Sequence, residues 1–285
     1  DELDAARRSA PADDTAGHAA LDDALAFVLS LRAAALAFSN DDPEVAAASA
    51  QRALDLARRG DDGWLIARCL YAAAAASAHT DVSRTLELLE QSTGAFEAAG
   101  DRFSAARVAM FTAYGVRLYT GSNELSHVYT STLELCREHD AAPVTQLDCV
   151  LGIAQGLHCE GDLDAAAAAY RDLVPRYLDV GELRCAALAQ RNLASIMIDH
   201  GDTHGASVLL ARAAETFIAL GEDVELAAAE LHRARIAALR GHRQHAVTLV
   251  RSADRLRRGS GLPMELNDSL LLDQLLAELD LEDPQ

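Results

Sequence analysis

The sequence contains no lysine; all 25 of its basic side chains are arginine. No residue can form a Schiff base or serve a phosphate-binding loop that needs lysine, so pyridoxal and P-loop chemistry are excluded from this segment. Aromatic residues are scarce at 5%, and β-branched and aromatic residues are what a large sheet would require. The five cysteines, Cys69, Cys136, Cys149, Cys159 and Cys185, are odd in number and include no CxxC pair. Each falls inside a helical pattern, where a free cysteine behaves as a small buried hydrophobe, so a reducing, cytoplasmic compartment is expected. No uncharged apolar run reaches the length of a membrane span, and no signal peptide is visible. There is no basic stripe either. Net charge is −19, and residues 259–285 hold seven acids and no base. Such a field repels phosphate backbones, so direct nucleic-acid binding is not expected.

The chain is rich in alanine, the best helix former, and its turn residues recur at a fixed interval. One series runs Asn40, Thr80, Gly121, Gly161, Gly201, Gly241, and a second runs Gly60, Gly100, Asp140, Gly181, Gly221, Gly261. Each series repeats about every 40 residues, and the two interleave about every 20. Glycine closes a helix by taking the left-handed conformation at little cost. Asp101, Ser122, Asp162 and Asp202 stand where N-caps belong, and Asp42-Pro43-Glu44 reads as cap, helix opener and first-turn acid. Between turns, apolar residues recur at three and four, as at Leu188, Leu193, Ile196 and Met197. These signals predict thirteen helices, at about 18–39, 43–59, 62–79, 82–99, 102–119, 123–139, 143–160, 162–180, 182–200, 203–220, 222–240, 242–258 and 262–281. Residues 1–17 read as a linker or frayed terminus, 18–281 as one repeat domain, and 282–285 as a tail. The sequence opens at Asp1 with no methionine, as a piece cut from a longer polypeptide would.

The stretch 187–220 resembles a tetratricopeptide repeat. Leu193, Ala194, Ala206, Leu210 and Ala213 stand where that family places a large residue, three small ones and a bulky one. Ile153, Ala154, Ala166, Tyr170 and Leu173 form a second such set, and Ala234, Ala246, Val250 and Ala253 a third. Small residues at the crossing points let two helices approach closely. The resemblance implies an all-α, right-handed superhelix of about six and a half helical hairpins. The chain departs from the family in its 40-residue period and in lacking most of the consensus tryptophan and proline, which keeps HEAT-like stacking open. Long alanine-rich units of this kind also resemble the C-terminal repeat regions of large bacterial LuxR-type regulators and signal-transduction ATPases.

The family geometry lines a groove with the first helix of each hairpin. Transferred to this chain, it offers Asp148, Gln155 and His158, then Arg191, Asn192 and Ser195, then His232 and Arg235. Arg191 and Arg235 could pair with a carboxylate or phosphate, and Asn192 could hydrogen-bond a peptide backbone. The plainer alternative is that these arginines pair with acids such as Glu230. Gly152 and Gly156 read as a site of close helix packing, and Trp64 as a packing anchor. His200 with His204, His242 with His245, and His158-Cys159 lack metal-ligand spacing, and no GxSxG elbow or HExxH pair occurs, so neither metal, cofactor nor catalytic residue is expected. The expected role is a non-catalytic recognition scaffold, the sensor or protein-interaction domain of a bacterial transcriptional regulator that binds a peptide, protein segment or small effector. The alternatives are a free-standing adaptor and an accessory module of an enzyme complex. An open stack also leaves end faces that admit a homodimer.

Overall fold

Aspartate side chains start many of the helices, and glycine ends many of them. In the computed structural model, Asp42, Asp62, Asp81, Asp162 and Asp202 each accept a hydrogen bond from a backbone N–H of the first turn, which satisfies donors a helix start leaves open. Asp101 does the same for Ser104 at 2.9 Å. At the other end, Gly201 sits at φ +83°, its N–H bonds to the Ile198 carbonyl, and the Asp202 N–H reaches back to Met197. This closure recurs at residues 100, 161, 181, 221 and 241. Gly60 differs: it is not left-handed, and a side chain there would meet the Asp23 carboxylate at 3.1 Å, so crowding rather than turn shape favours glycine.

The structure describes residues 15–39, 42–78, 80–138, 143–260 and 264–281. Among them are thirteen helices and no strand. They are α1 Thr15–Ser39, α2 Pro43–Ala57, α3 Gly63–Ser77, α4 Val82–Ala98, α5 Arg102–Thr120, α6 His127–Glu138, α7 Pro143–Glu160, α8 Leu163–Asp179, α9 Leu183–Asp199, α10 Thr203–Leu220, α11 Asp223–Leu239, α12 Arg243–Ser260 and α13 Leu266–Glu278. The linker assigned to residues 1–17 lies outside the described residues as far as residue 14, and residues 15–17 already belong to α1. The tail 282–285 also lies outside them, as do the turn positions Asn40, Asp140 and Gly261. Two helix starts move by four residues, from 123 to 127 and from 262 to 266. Ser122 does not cap a helix; residues 124–126 form a turn first, and Asn123 is drawn to Glu160, with Nδ2 2.8 Å from Oε1.

The described residues form two compact units, one up to residue 115 and one from residue 116 onward. In the first, α1 packs on α2, α3 on α4, and α1 on α3. Its core gathers Leu25, Leu29, Leu54, Leu65, Leu70, Leu88, Leu89 and Phe96. Trp64 packs between Phe27 and Phe96 and donates from Nε1 to Asp101 at 2.9 Å. In the second unit α7 pairs with α8, α9 with α10, and α11 with α12, while α9 also rests on α11. That is a succession of helical hairpins, with the leading helices α9 and α11 stacked on each other. The small residues at the crossings are fully buried: Ala154 and Ala166 with Tyr170 and Leu173, Ala194, Ala206 and Ala213 with Leu210, and Ala234 and Ala246 with Val250. Gly152 shows how tight the contact is: a Cβ there would stand 2.3 Å from the Tyr129 ring.

Candidate functional site

The 40-residue period sets Gln155, Ser195 and Arg235 at one position of three successive repeats, and Asn192 and His232 at another. Helices α7, α9 and α11 carry these positions on one side, and in the second unit they line a cavity of about 300 Å³. That lies at the lower end of the volumes that hold small ligands, roughly 300–1,000 Å³. Gln155, His158, Arg191, Asn192, Ser195, His232 and Arg235 all face it. Asp148 does not. Its carboxylate accepts from the Tyr177 hydroxyl at 3.0 Å, so it is engaged by the neighbouring α8 and leaves the set.

The cavity also contains side chains that the repeat pattern did not mark. Arg117 arrives from the end of α5 and donates from Nη2 to Gln155 Oε1 at 2.8 Å. Tyr170, from α8, lies fully buried with its ring edge-on to His158. The largest addition comes from α13 and the residue before it: Glu265, Asn267, Asp268, Leu270, Leu271 and Gln274.

Arg191 is the electrostatic centre. Its side chain is 3% exposed. Its guanidinium lies 2.8 Å from Glu225, 3.3 Å from Asp268 and 3.7 Å from Glu265, and it donates to the Asn192 side-chain oxygen. Glu225 also receives Arg184 at 3.2 Å. Two buried carboxylates therefore share one buried guanidinium, and they separate. Burial pushes the Glu225 carboxyl up, and Arg191 and Arg184 only partly offset it. Burial raises Asp268 as well, but Arg191 and the His232 hydrogen bond outweigh it and hold this carboxyl below its ordinary range. Arg235 is different: its pair with Asp199, at 2.7 Å, is about one-third exposed on both sides. Both arginines therefore pair with acids, as the plainer alternative has it, though not with Glu230, which pairs with Arg233.

Two buried polar atoms at the cavity lack a protein hydrogen-bond partner, the Tyr170 hydroxyl and His232 Nδ1. Buried polar atoms are normally paired. Burial lowers the proton affinity of His158, so at neutral pH its ring is a neutral donor and acceptor. Cys159 is exposed at the cavity edge with its thiol raised by burial of the sulfur, the opposite of an activated nucleophile. Cys149, elsewhere in α7, is pushed up to about 12 by burial and by Cys136. Among the described residues no cluster of three His, Cys, Asp or Glu side chains could hold a metal ion. No helix among them is long and apolar enough to cross a membrane.

No protein-family model matches the sequence, and no curated protein matches it. Solved structures do. The chain is similar to NprR in complex with its cognate peptide NprX, with a TM-score of 0.73 at 13% identity, over 99% of this chain and 79% of that one. It is similar to the apo form of RapI, with a TM-score of 0.66 at 12% identity, over 90% of this chain and 88% of that one. A third match is PH0952 from Pyrococcus horikoshii, a signal transduction ATPase with numerous domains that carries a tetratricopeptide repeat sensor; the TM-score is 0.58 at 13% identity, over 94% of this chain but only 42% of that one. At these identities the likeness shows the fold. The chain is an all-α array of helical hairpins of the tetratricopeptide type, similar in architecture to repeat domains of Rap and NprR proteins and to a signal-transduction ATPase sensor.

Proposed function

We propose that this chain is a peptide-recognition domain of a cytoplasmic bacterial regulator, and that the cavity walled by α7, α9 and α11 is where the peptide binds. One observation carries the reading. In a protein of net charge −19, the groove-facing positions of α5, α7, α9 and α11 that line this cavity are cationic or neutral: Arg117, Arg191 and Arg235, two histidines, and Gln155, Asn192 and Ser195. Guanidinium groups recognise carboxylates with defined geometry, so a ligand carboxylate can compete with Asp268 for Arg191 and with Asp199 for Arg235. Asn192 and Gln155 add the amide groups that a peptide backbone can pair with. NprR was solved with a cognate peptide on the same fold, which supports a peptide as the ligand class. The scaffold acts by binding, and a ligand shifts a regulator only by favouring one of its states.

The test begins with a random heptapeptide phage library panned on the immobilised full chain. Enriched peptides are then titrated by calorimetry against the parent, Arg235→Ala and Asn192→Ala. Both substitutions are expected to weaken binding at least tenfold; Arg235→Ala, which breaks a partly exposed pair, should barely move the circular dichroism melt, and Asn192→Ala, which removes an acceptor of the buried Arg191, should lower it modestly. Peptides that bind both variants as well as the parent would place recognition elsewhere.

A further inference from the structure

The two acids that line the cavity come from one segment. Asp268 is carried by α13, and Glu265 immediately precedes it. They are three residues apart, and both carboxylates converge on the Arg191 guanidinium, although Asp268 lies 77 residues further along the chain. Asp268 also faces His232 Nε2 at 3.6 Å. The helix that brings them is not confined to the end of the stack. Leu272, Leu275 and Leu279 are buried against α11 and α12. Leu266, however, reaches the turn after α5, where its Cδ2 would stand 2.8 Å from a Cβ at Gly121. The α13 segment thus crosses the mouth of the cavity from the last hairpin to the first turn of the unit. It satisfies the cationic centre but leaves the Tyr170 hydroxyl and His232 Nδ1 unpaired.

We propose that α13 is a built-in occupant of the groove: its Glu265 and Asp268 carboxylates stand in for those of an acidic, leucine-bearing peptide, and such a peptide binds by displacing α13 from Arg191. The proposal rests on reading the cavity as a peptide site, and it names both the ligand class and the element that regulates access. A helix of 13 residues is marginal by itself, so its docked state depends on the contacts it makes. Those contacts are an apolar seam and two carboxylates, which an external amphipathic acidic segment can reproduce. A ligand that also pairs Tyr170 and His232 would gain bonds that α13 does not make.

The test uses the full chain and, as probe, a fluorescein-labelled peptide of residues 264–279. Hydrogen exchange over α11 and α13, and anisotropy of the probe, are measured on the parent, on the E265Q/D268N double variant, and on Leu266→Ser, which loosens α13 without touching the cationic centre. In both variants α13 amides are expected to exchange at least tenfold faster than in the parent, with α11 unchanged. Both variants are expected to bind the probe at least tenfold more tightly, and a probe carrying Gln and Asn in place of its two acids at positions 265 and 268 at least tenfold more weakly. If α13 exchanges in step with α11 in all three chains, it is a permanent cap and the proposal is overturned, while the cavity reading stands on its own library experiment. If α13 opens yet the probe binds no more tightly, competition is overturned; a library that also returns nothing on the opened variants removes the cavity reading with it.

Discussion

The two units bury different things. In residues 15–115 the buried polar side chains are mostly hydroxyls that bond to nearby carbonyls, as Ser30 does to Phe27 and Ser92 to Ala67. Of the ion pairs there, Arg84 with Glu87 lies at the surface, and the buried Asp22 meets the exposed Arg59 at 3.8 Å. In residues 116–281 the buried set includes Arg117, Arg191, Glu225, Glu230, His232, Asp254 and Asp268. Hydroxyls bonded to helix carbonyls, their own or a neighbour's, cost little and do no more than stabilise the fold. Buried charges are expensive to desolvate and are weak evidence for stability. The same hairpin architecture therefore supports an ordinary core in one unit and a charged, cavity-forming centre in the other, and the proposed recognition site lies in the second.

The largest expected effect breaks that centre. Arg191→Ala strands Glu225 and Asp268 without their shared partner and should lower stability by ~3–5 kcal/mol. Arg84→Ala, which removes an exposed pair in the first unit, should change it by less than about 1 kcal/mol. Urea unfolding of both variants checks the contrast; equal losses would erase the distinction between the units. Next in size is a pair of glycines. Gly152→Ala drives a methyl into the Tyr129 ring and should cost about 1–3 kcal/mol. Gly94→Ala meets nothing within 4 Å on an exposed helix surface and should gain about 0.5–1 kcal/mol.

These contrasts also show how far the sequence could be read. The turn period and the aspartate caps are local signals, so the helices and their pairing were legible. The groove positions followed because the 40-residue period keeps Gln155, Ser195 and Arg235 in register. Asp148 shares that face in the pattern but is captured by Tyr177, a contact no periodicity encodes. Nor does any local pattern announce that Asp268 will meet Arg191, or that Arg117 will reach Gln155. The acid pair at the head of the last leucine-rich helix was the one available signal, and it looks the same as any helix start enriched in acids.

Smaller effects sharpen the comparison further. Tyr177→Phe deletes the bond to Asp148 and should cost about 0.5–1.5 kcal/mol, read by thermal melting. His158 supplies a pH test. Its folded-state proton affinity is depressed by burial, so on acidification the unfolded chain takes the proton first, from the ordinary value of 6.5 downward. Stability should therefore fall as pH drops below 6.5 toward the lower folded value. His158→Gln should flatten that slope; an unchanged slope would assign it to other groups.

The most direct measurement is hydrogen exchange of the full chain with and without a library-selected peptide. Protection should fall on α7, α9 and α11 around Gln155, Asn192 and Arg235, with residues 15–115 unchanged. Protection confined to residues 15–115 would contradict the assignment of the cavity as the recognition site.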